Sequence, residues 1–389
     1  MRILYTIADF GTKSGGTSTC VYDFAKYTNA EECRTEVVSL NVKNERDDCL
    51  IGESEQWIKA LPNDAITPFQ YSSNLKHYID ENISQYDLVH VHGLWLYIHH
   101  LSCSTAKEMG LPYVLTPHGM LYPDALHRSY WKKWPLLQLC FKRDIMQAAC
   151  IHVTCKEELQ HVRDFGYRGP IALIPNPMAF PSYLHEITHS TANDRTVIGF
   201  LGRLHPIKHV ENMLYGVSLL TDSERDRLEV RILGEGESDY KSFLENEVAR
   251  LGLHNVTFCG FVRGCEKFKQ LAEMSLLMVP SDFENFGMIV TEALSVGTPV
   301  YASLGTPWSI LNSEHCGWWR DNRPETLAAV IRETMIASAD TLTEMGRRGK
   351  NLVKQKFDAS VVAKMLVRLY SWLNEGGAMP EFVYLSKEK

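Results

Sequence analysis

Short apolar runs bounded by turn residues alternate along this chain with longer stretches whose apolar positions recur three and four apart. A continuous apolar run reads as a strand buried on both faces, and the three-four spacing as a helix with one buried stripe. On that basis strands are predicted at residues 2–7, 37–40, 88–91 and 113–116, and again at 197–201, 230–233, 256–259, 276–279 and 299–302. Helices are predicted at 18–27, 288–296 and 359–373, with helical patterns between most strands. Strand–helix alternation of this kind implies an α/β fold with parallel, doubly wound sheets. Residues 175–196 break the alternation: they hold three prolines and many polar residues, and read as an interdomain connection. A chain of 389 residues suits two domains. The expected organisation is an N-terminal domain at 1–178, a linker at 179–196, a second domain at 197–358 and a closing helical segment at 359–389.

Composition narrows the function classes. Forty Lys and Arg against forty-seven Asp and Glu give a net charge of −7, without the basic footprint of a general nucleic-acid binder. The ten cysteines show no CxxC pairs or metal-finger spacing and are expected as reduced thiols of a cytoplasmic protein. Residues 1–10 carry one basic residue and an apolar run broken by Asp9, which reads as a first strand rather than a secretory leader. No apolar run approaches the length of a membrane span.

Candidate chemistry concentrates in the second half. An apolar run ending at Pro280 leads into a turn with Glu284, Asn285, Phe286 and Gly287, and then into a helix carrying Glu292. A helix starting at a strand end directs free N–H groups and its dipole toward anions, and a carboxylate nearby accepts hydrogen bonds from sugar hydroxyls. Upstream, GFLGRLHPIKH (199–209) is a strand ending in Gly202 and Arg203, followed by Lys208. A guanidinium fork and an ammonium group suit a diphosphate. Two such segments in this order, G-R-L-x-P-x-K and then E-x7-E, resemble the family 4 glycosyltransferases, which retain anomeric configuration. The resemblance is clear over 196–320 and looser in the N-terminal half. It implies the GT-B fold, two facing Rossmann-like domains with a cleft between them and a C-terminal helix crossing back, and a nucleoside-diphosphate-sugar donor held mainly by the second domain. It further implies that Glu292 binds the ribose, that Glu284 positions the donor sugar, and that Arg203, Lys208 and amides near 285–287 stabilise the departing diphosphate. The sequence contains no Asp-x-Asp motif, so metal-independent transfer without a cofactor is expected. The base is expected near GEGE (234–237) and after FCGFV (258–262), with Val262 and Arg263 as contacts; UDP- and GDP-sugars fit equally.

The N-terminal half adds three features. The loop at 11–17, with Gly15 and Gly16, lacks the dinucleotide G-x-G-x-x-G spacing but lets backbone amides approach a phosphate or acceptor, as the family's Gly-Gly loop does. His118, in TPHGM at a strand end, matches a family histidine beside the donor sugar, whereas His90 and His92 read as structural or acceptor-side residues rather than a metal pair. Residues 127–150 interleave Arg128, Lys132, Lys133, Lys142 and Arg143 with Tyr130, Trp131, Trp134 and Phe141. That pattern fits a helix lying on an anionic membrane at the inner face, and equally an acceptor-domain helix with its apolar side in the core. Asn176-Pro177 replaces the family's frequent Asn-Gly, which predicts a stiffer loop. GTPW (305–308) and GWW (317–319) resemble a subgroup of bacterial surface-polysaccharide enzymes acting on lipopolysaccharide, capsule or exopolysaccharide, and so imply a glycan or lipid-linked saccharide acceptor. A sugar-nucleotide epimerase of the same fold and a catalytically silent scaffold are the alternatives; all four charged donor residues are present, which favours transfer.

Overall fold

Most of the apolar runs become strands in a computed structural model, which describes residues 1–11, 15–31, 33–41, 51–52, 54–189 and 195–386. The chain divides into two units, Met1–Ala179 with Ala359–Lys389, and Phe180–Asp358.

The first unit contains strands β1 (Arg2–Ile7), β2 (Arg34–Leu40), β3 (Ile58–Leu61), β4 (Leu88–His92), β5 (Tyr113–Thr116), β6 (Cys150–Val153) and β7 (Ile171–Leu173). The second contains β8 (Thr196–Leu201), β9 (Leu228–Leu233), β10 (Val256–Gly260), β11 (Leu276–Val279), β12 (Val300–Ser303) and β13 (Gly317–Arg320), and β14 (Val383–Tyr384) returns to the first. The sheet orders are β14-β7-β6-β5-β4-β1-β2-β3 and β10-β9-β8-β11-β12-β13. Every pair is parallel except β14 with β7.

Both sheets therefore share one logic. The first strand of each unit lies inside its sheet, the chain winds outward on one side, and then crosses back to continue on the other. The reversal falls between β1 and β4, where Ile3 faces Leu88, and between β8 and β11, where Ile198 faces Leu276. Loops leaving the carboxyl ends of two such strands diverge to opposite faces and open a crevice, the usual ligand position of a doubly wound sheet. Parallel strands covered by helices on both faces must be apolar throughout, and residues 3–5 of β1 and 276–278 of β11 are fully buried.

One expectation changes. Residues 179–196 are not a free connection: Ser182–Glu186 forms a 3-10 turn, the Tyr183 ring lies 6.0 Å from that of Phe268, and His189 Nε2 donates to the Met274 carbonyl at 2.9 Å. The segment thus belongs to the second unit from Phe180 onward, with 190–194 outside the described residues. The closing helix Ala359–Glu375 packs on Gly16–Ala30 of the first unit. No helix among the described residues is long and apolar enough to cross a membrane.

Candidate functional site

The loops after β8 and β11 meet at the switch point of the second sheet. After β8, the chain is clamped against the loop after β9. Gly202 N–H donates to the Leu233 carbonyl at 3.0 Å and Leu204 N–H to the Glu235 carbonyl at 2.9 Å. The two glycines of GEGE make this approach possible, since a Cβ on Gly234 would stand 1.9 Å from the Gly202 oxygen and one on Gly236 1.9 Å from that of Leu204. A 3-10 turn, Pro206–Lys208, follows, with Asp282 N–H donating to the Ile207 carbonyl at 3.0 Å.

That bond sets Lys208 beside the β11 loop. Its Nζ donates to Glu284 Oε1, which also accepts from the Ser281 hydroxyl at 3.0 Å. Both charged side chains are mostly buried. His209, in left-handed conformation with φ 46°, places Nε2 2.6 Å from Asp282 Oδ2 and Nδ1 2.8 Å from Glu211 Oε1. Tyr240 donates to the other oxygen of Glu211. A non-glycine residue in this conformation costs on the order of 1–3 kcal/mol, and His209 is held there from both sides.

The second carboxylate has its own lysine. Glu292 lies on the helix Met288–Val296, and Lys267, on the helix Gly264–Ala272, donates to its Oε1 at 2.7 Å. Each acidic residue of the E-x7-E segment is therefore paired with one lysine from a different loop or helix. Lys267 did not stand out in the sequence. Its signal was its place four residues before the buried Leu271, on the stripe that also carries Phe268 and Ala272. His209, Glu211, Asp282 and Tyr240 carry no distinguishing sequence signal either.

GTPW and GWW buttress the Glu284 loop. A Cβ on Gly305 would stand 2.0 Å from the Asp282 carbonyl oxygen, and the Gly305 carbonyl accepts from Glu284 N–H at 3.1 Å. Trp308 Nε1–H donates to the Phe286 carbonyl, and Trp319 Nε1–H to the Thr306 carbonyl at 2.9 Å.

The remaining candidates divide. Arg203 is exposed and makes no hydrogen bond or ion pair among the described residues. Val262 and Arg263 follow β10, Arg263 being the exposed residue that precedes the helix Gly264–Ala272. Asn285 is half-buried, and Gly287 (φ 78°) stands in left-handed conformation at the start of the Met288–Val296 helix. Phe286, expected among the donor-binding residues, turns its side chain into the core. Its ring is 5 % exposed and packs at 5.3 Å on Trp308 and 5.8 Å on Phe357, so only its backbone faces the loop.

Gly15, Gly16 and His118 belong to the first unit. Gly15 has φ 87° and precedes the helix that Gly16 begins, while Thr12, Lys13 and Ser14 of that loop lie outside the described residues. His118 follows β5 with φ 51°, and its Nε2 lies 3.3 Å from His92 Nδ1. Gly119 N–H donates to the buried Glu158 carboxylate at 2.6 Å, fixing the turn. Beneath it runs a buried chain whose donor directions follow from its ends. His152 Nε2 faces the Ile174 carbonyl at 2.8 Å and must donate, so its Nδ1 accepts from the Thr116 hydroxyl at 2.9 Å. Thr116 then accepts from His90 Nε2 at 2.7 Å, His90 Nδ1 accepts from Tyr370 at 2.7 Å, and Tyr370 accepts from Tyr5 at 2.6 Å. Burial holds His90 and His92 well below the usual imidazole range and pushes His99 and His152 down to about 4 and His118 to about 3. His90 and His92, expected as structural or acceptor-side, stack at 4.1 Å, and His90 spends both ring nitrogens on protein partners.

In chemical terms the second unit offers mostly buried lysines and carboxylates at a switch point, beside the first amides of a helix. Cations and N–H groups there suit a diphosphate, and the carboxylates suit vicinal hydroxyls.

Known proteins share this architecture. Residues 14–178 match the family described as Glycosyltransferase Family 4, and residues 186–352 the family described as Glycosyl transferases group 1. An uncharacterized glycosyltransferase of Methanocaldococcus jannaschii is 26% identical over 310 residues, 74% of this chain and 76% of that one. The D-inositol 3-phosphate glycosyltransferase of Streptomyces avermitilis is 28% identical over 271 residues, 64% of this chain and 57% of its own length. Among solved structures, Anabaena HepE in complex with UDP and glucose superposes with a TM-score of 0.73 at 18% identity, over 95% of this chain and 99% of that one.

Proposed function

Since the chain carries a family 4 glycosyltransferase domain followed by a group 1 glycosyltransferase domain, and is a glycosyltransferase of the GT-B fold, we propose that it transfers a sugar from a UDP- or GDP-linked donor to a glycan or lipid-linked saccharide, with retention of configuration, in the assembly of a bacterial surface polysaccharide. The observation that carries the donor reading is the meeting of Lys208 and Glu284 at the switch point between β8 and β11.

In this reading the bond from the anomeric carbon to the diphosphate breaks as negative charge grows on the leaving group. Lys208, Arg203 and the amides near Asn285 to Gly287 stabilise that charge without a metal. The donor displaces Glu284 from Lys208: the ammonium turns to phosphate and the freed carboxylate accepts from the sugar hydroxyls. Glu292 holds the ribose, Asn285 and the Phe286 backbone line the donor, Val262 and Arg263 flank the base, and Gly202 gives the phosphates room. Gly15, Gly16 and His118 serve from the first domain. Support for a nucleotide ligand comes from the neighbouring fold, whose Anabaena member holds UDP and glucose.

Thermal unfolding against UDP, GDP, ADP, CMP and their sugars, without added metal, tests this. A ligand at about a hundred times its dissociation constant adds roughly 2.7 kcal/mol of stability, so one nucleotide is expected to raise the melting temperature and name the base. No shift with any member of the panel refutes the donor site.

The acceptor reading includes peripheral contact with an anionic membrane. The 127–150 segment is broken into Pro123–His127, Tyr130–Leu136, a π-turn Leu137–Phe141 and Lys142–Met146, and Cys150 already belongs to β6. Trp131 is 87 % and Leu139 77 % exposed, while Phe141 and Ile145 are core. Lys133 turns inward to the Ala125 carbonyl, leaving Arg128, Lys132, Lys142 and Arg143 exposed around the aromatic side chains. Exposed Trp beside Lys and Arg suits a headgroup layer. The protein is expected to float with vesicles containing anionic lipid and to be released by Trp131→Ser with Lys132→Glu. Full recovery in the soluble fraction refutes the contact.

A further inference from the structure

Lys267 and Glu292 join two helices that flank the loop after β10 and the switch point. Their charged groups are 2.7 Å apart, and both side chains are about four-fifths buried. Withdrawing two charges this far from water is expensive, and an apolar pair of similar size would hold the helices as well. Stability therefore does not explain the pair. Its geometry does other work. Lys267 engages Oε1 of Glu292, and Oε2 has no hydrogen-bond partner among the described residues. The lysine Nζ also lies 5.0 Å from the centroid of the Phe268 ring, itself 5 % exposed, so the stem is packed and the ammonium cannot swing freely. One oxygen of the carboxylate is pinned and the other presented.

We propose that Lys267 is a positioning residue that fixes Glu292 to select the ribose of the donor nucleotide; this rests on the donor reading of Glu292 given above. A carboxylate with one oxygen tied accepts from a vicinal diol in one orientation, so a nucleotide lacking a hydroxyl leaves a mostly buried acceptor unmatched. Lys267 itself does not touch the reacting atoms. Its effect falls on donor binding and on discrimination between ribose and deoxyribose, and leaves the chemical step alone.

The test is calorimetric binding of UDP and GDP and of their 2′-deoxy counterparts to the full chain, with donor KM and kcat measured in parallel. The wild type is expected to prefer the ribonucleotide by about tenfold, as for one hydrogen bond to a charged group. Lys267→Met is expected to reduce that preference to near unity by weakening the ribonucleotide alone. Donor KM should rise by a similar factor with kcat nearly unchanged, and Lys267→Arg should restore the preference. Thermal melts identify any variant that fails to fold, and Lys267→Met combined with Glu292→Gln, which leaves no charge unpaired, then replaces it. If Glu292→Gln abolishes the preference but Lys267→Met keeps it, the positioning role is overturned and the donor reading stands. If both variants keep it, the donor reading of Glu292 falls as well.

Discussion

Lys208→Ala is expected to lower sugar transfer on the order of a hundredfold or more, the usual loss when one donor to a developing negative charge is removed. Glu292→Ala should lose most transfer too, through donor binding. The ion pair with Glu284 complicates the first result, because removing the lysine leaves a mostly buried carboxylate with the Ser281 hydroxyl as its remaining hydrogen-bond donor. That alone destabilises by roughly 1–3 kcal/mol. Lys208→Met with Glu284→Gln separates the two effects, since the double variant has no unpaired charge. Its melting temperature should return toward that of the wild type, and its turnover should not. Near-normal transfer by Lys208→Ala, measured by nucleotide release at saturating donor, would sink the assignment.

Acid should open the first unit while the second remains folded. His90, His92, His99 and His152 are at most 2 % exposed, and burial depresses all four. The sign follows from counting protons. Below the ordinary imidazole value of about 6.5 the unfolded chain is protonated at these rings and the folded chain is not, so stability falls as pH falls. Each ring contributes about 1.4 kcal/mol per pH unit, and four together on the order of 5. The loss continues until the folded rings titrate, near 4 for His99 and His152. Two pH units thus rival the roughly 5–15 kcal/mol that holds a typical domain together. The hydrogen-bond chain gives the structural reason: His90 and His152 each use one nitrogen as an acceptor, and an added proton would face a hydroxyl hydrogen. Amide exchange should show β4, β5 and β6 losing protection between pH 6.5 and 5 while β8 to β11 keep theirs. Unchanged protection would contradict the neutral network.

The sequence made the α/β class legible, and with it the charged residues of the proposed donor site, because both rest on local pattern. The 2–7, 113–116, 276–279 and 288–296 segments are observed with the boundaries expected, since a buried parallel strand must be apolar end to end and Gly287 and Gly297 bracket the helix. β7 has three residues and β14 two, too short for a period to show. β13 is GWWR, half-buried throughout at the sheet edge, and it mimics neither a core strand nor an alternating one. Lys267 was hidden for a different reason. Its partner stands twenty-five positions later, and nothing local connects them before the two helices pack. The burial of the Phe286 ring was equally hidden: its neighbours in the motif are polar, but Trp308 and Phe357 supply a core for its ring.

The return of Ala359–Glu375 to the first unit has a consequence for the order in which the protein can be made. Tyr370 is the phenol that His90 and Tyr5 share, and β14 closes the edge of the sheet at β7. Every residue of the second unit is synthesised before either piece exists. Since domains fold as units during synthesis, the contiguous second unit can complete its core while the earlier one still waits with unmatched histidines and an open edge. A released chain truncated after Asp358 should therefore protect the later half from protease and expose the earlier half.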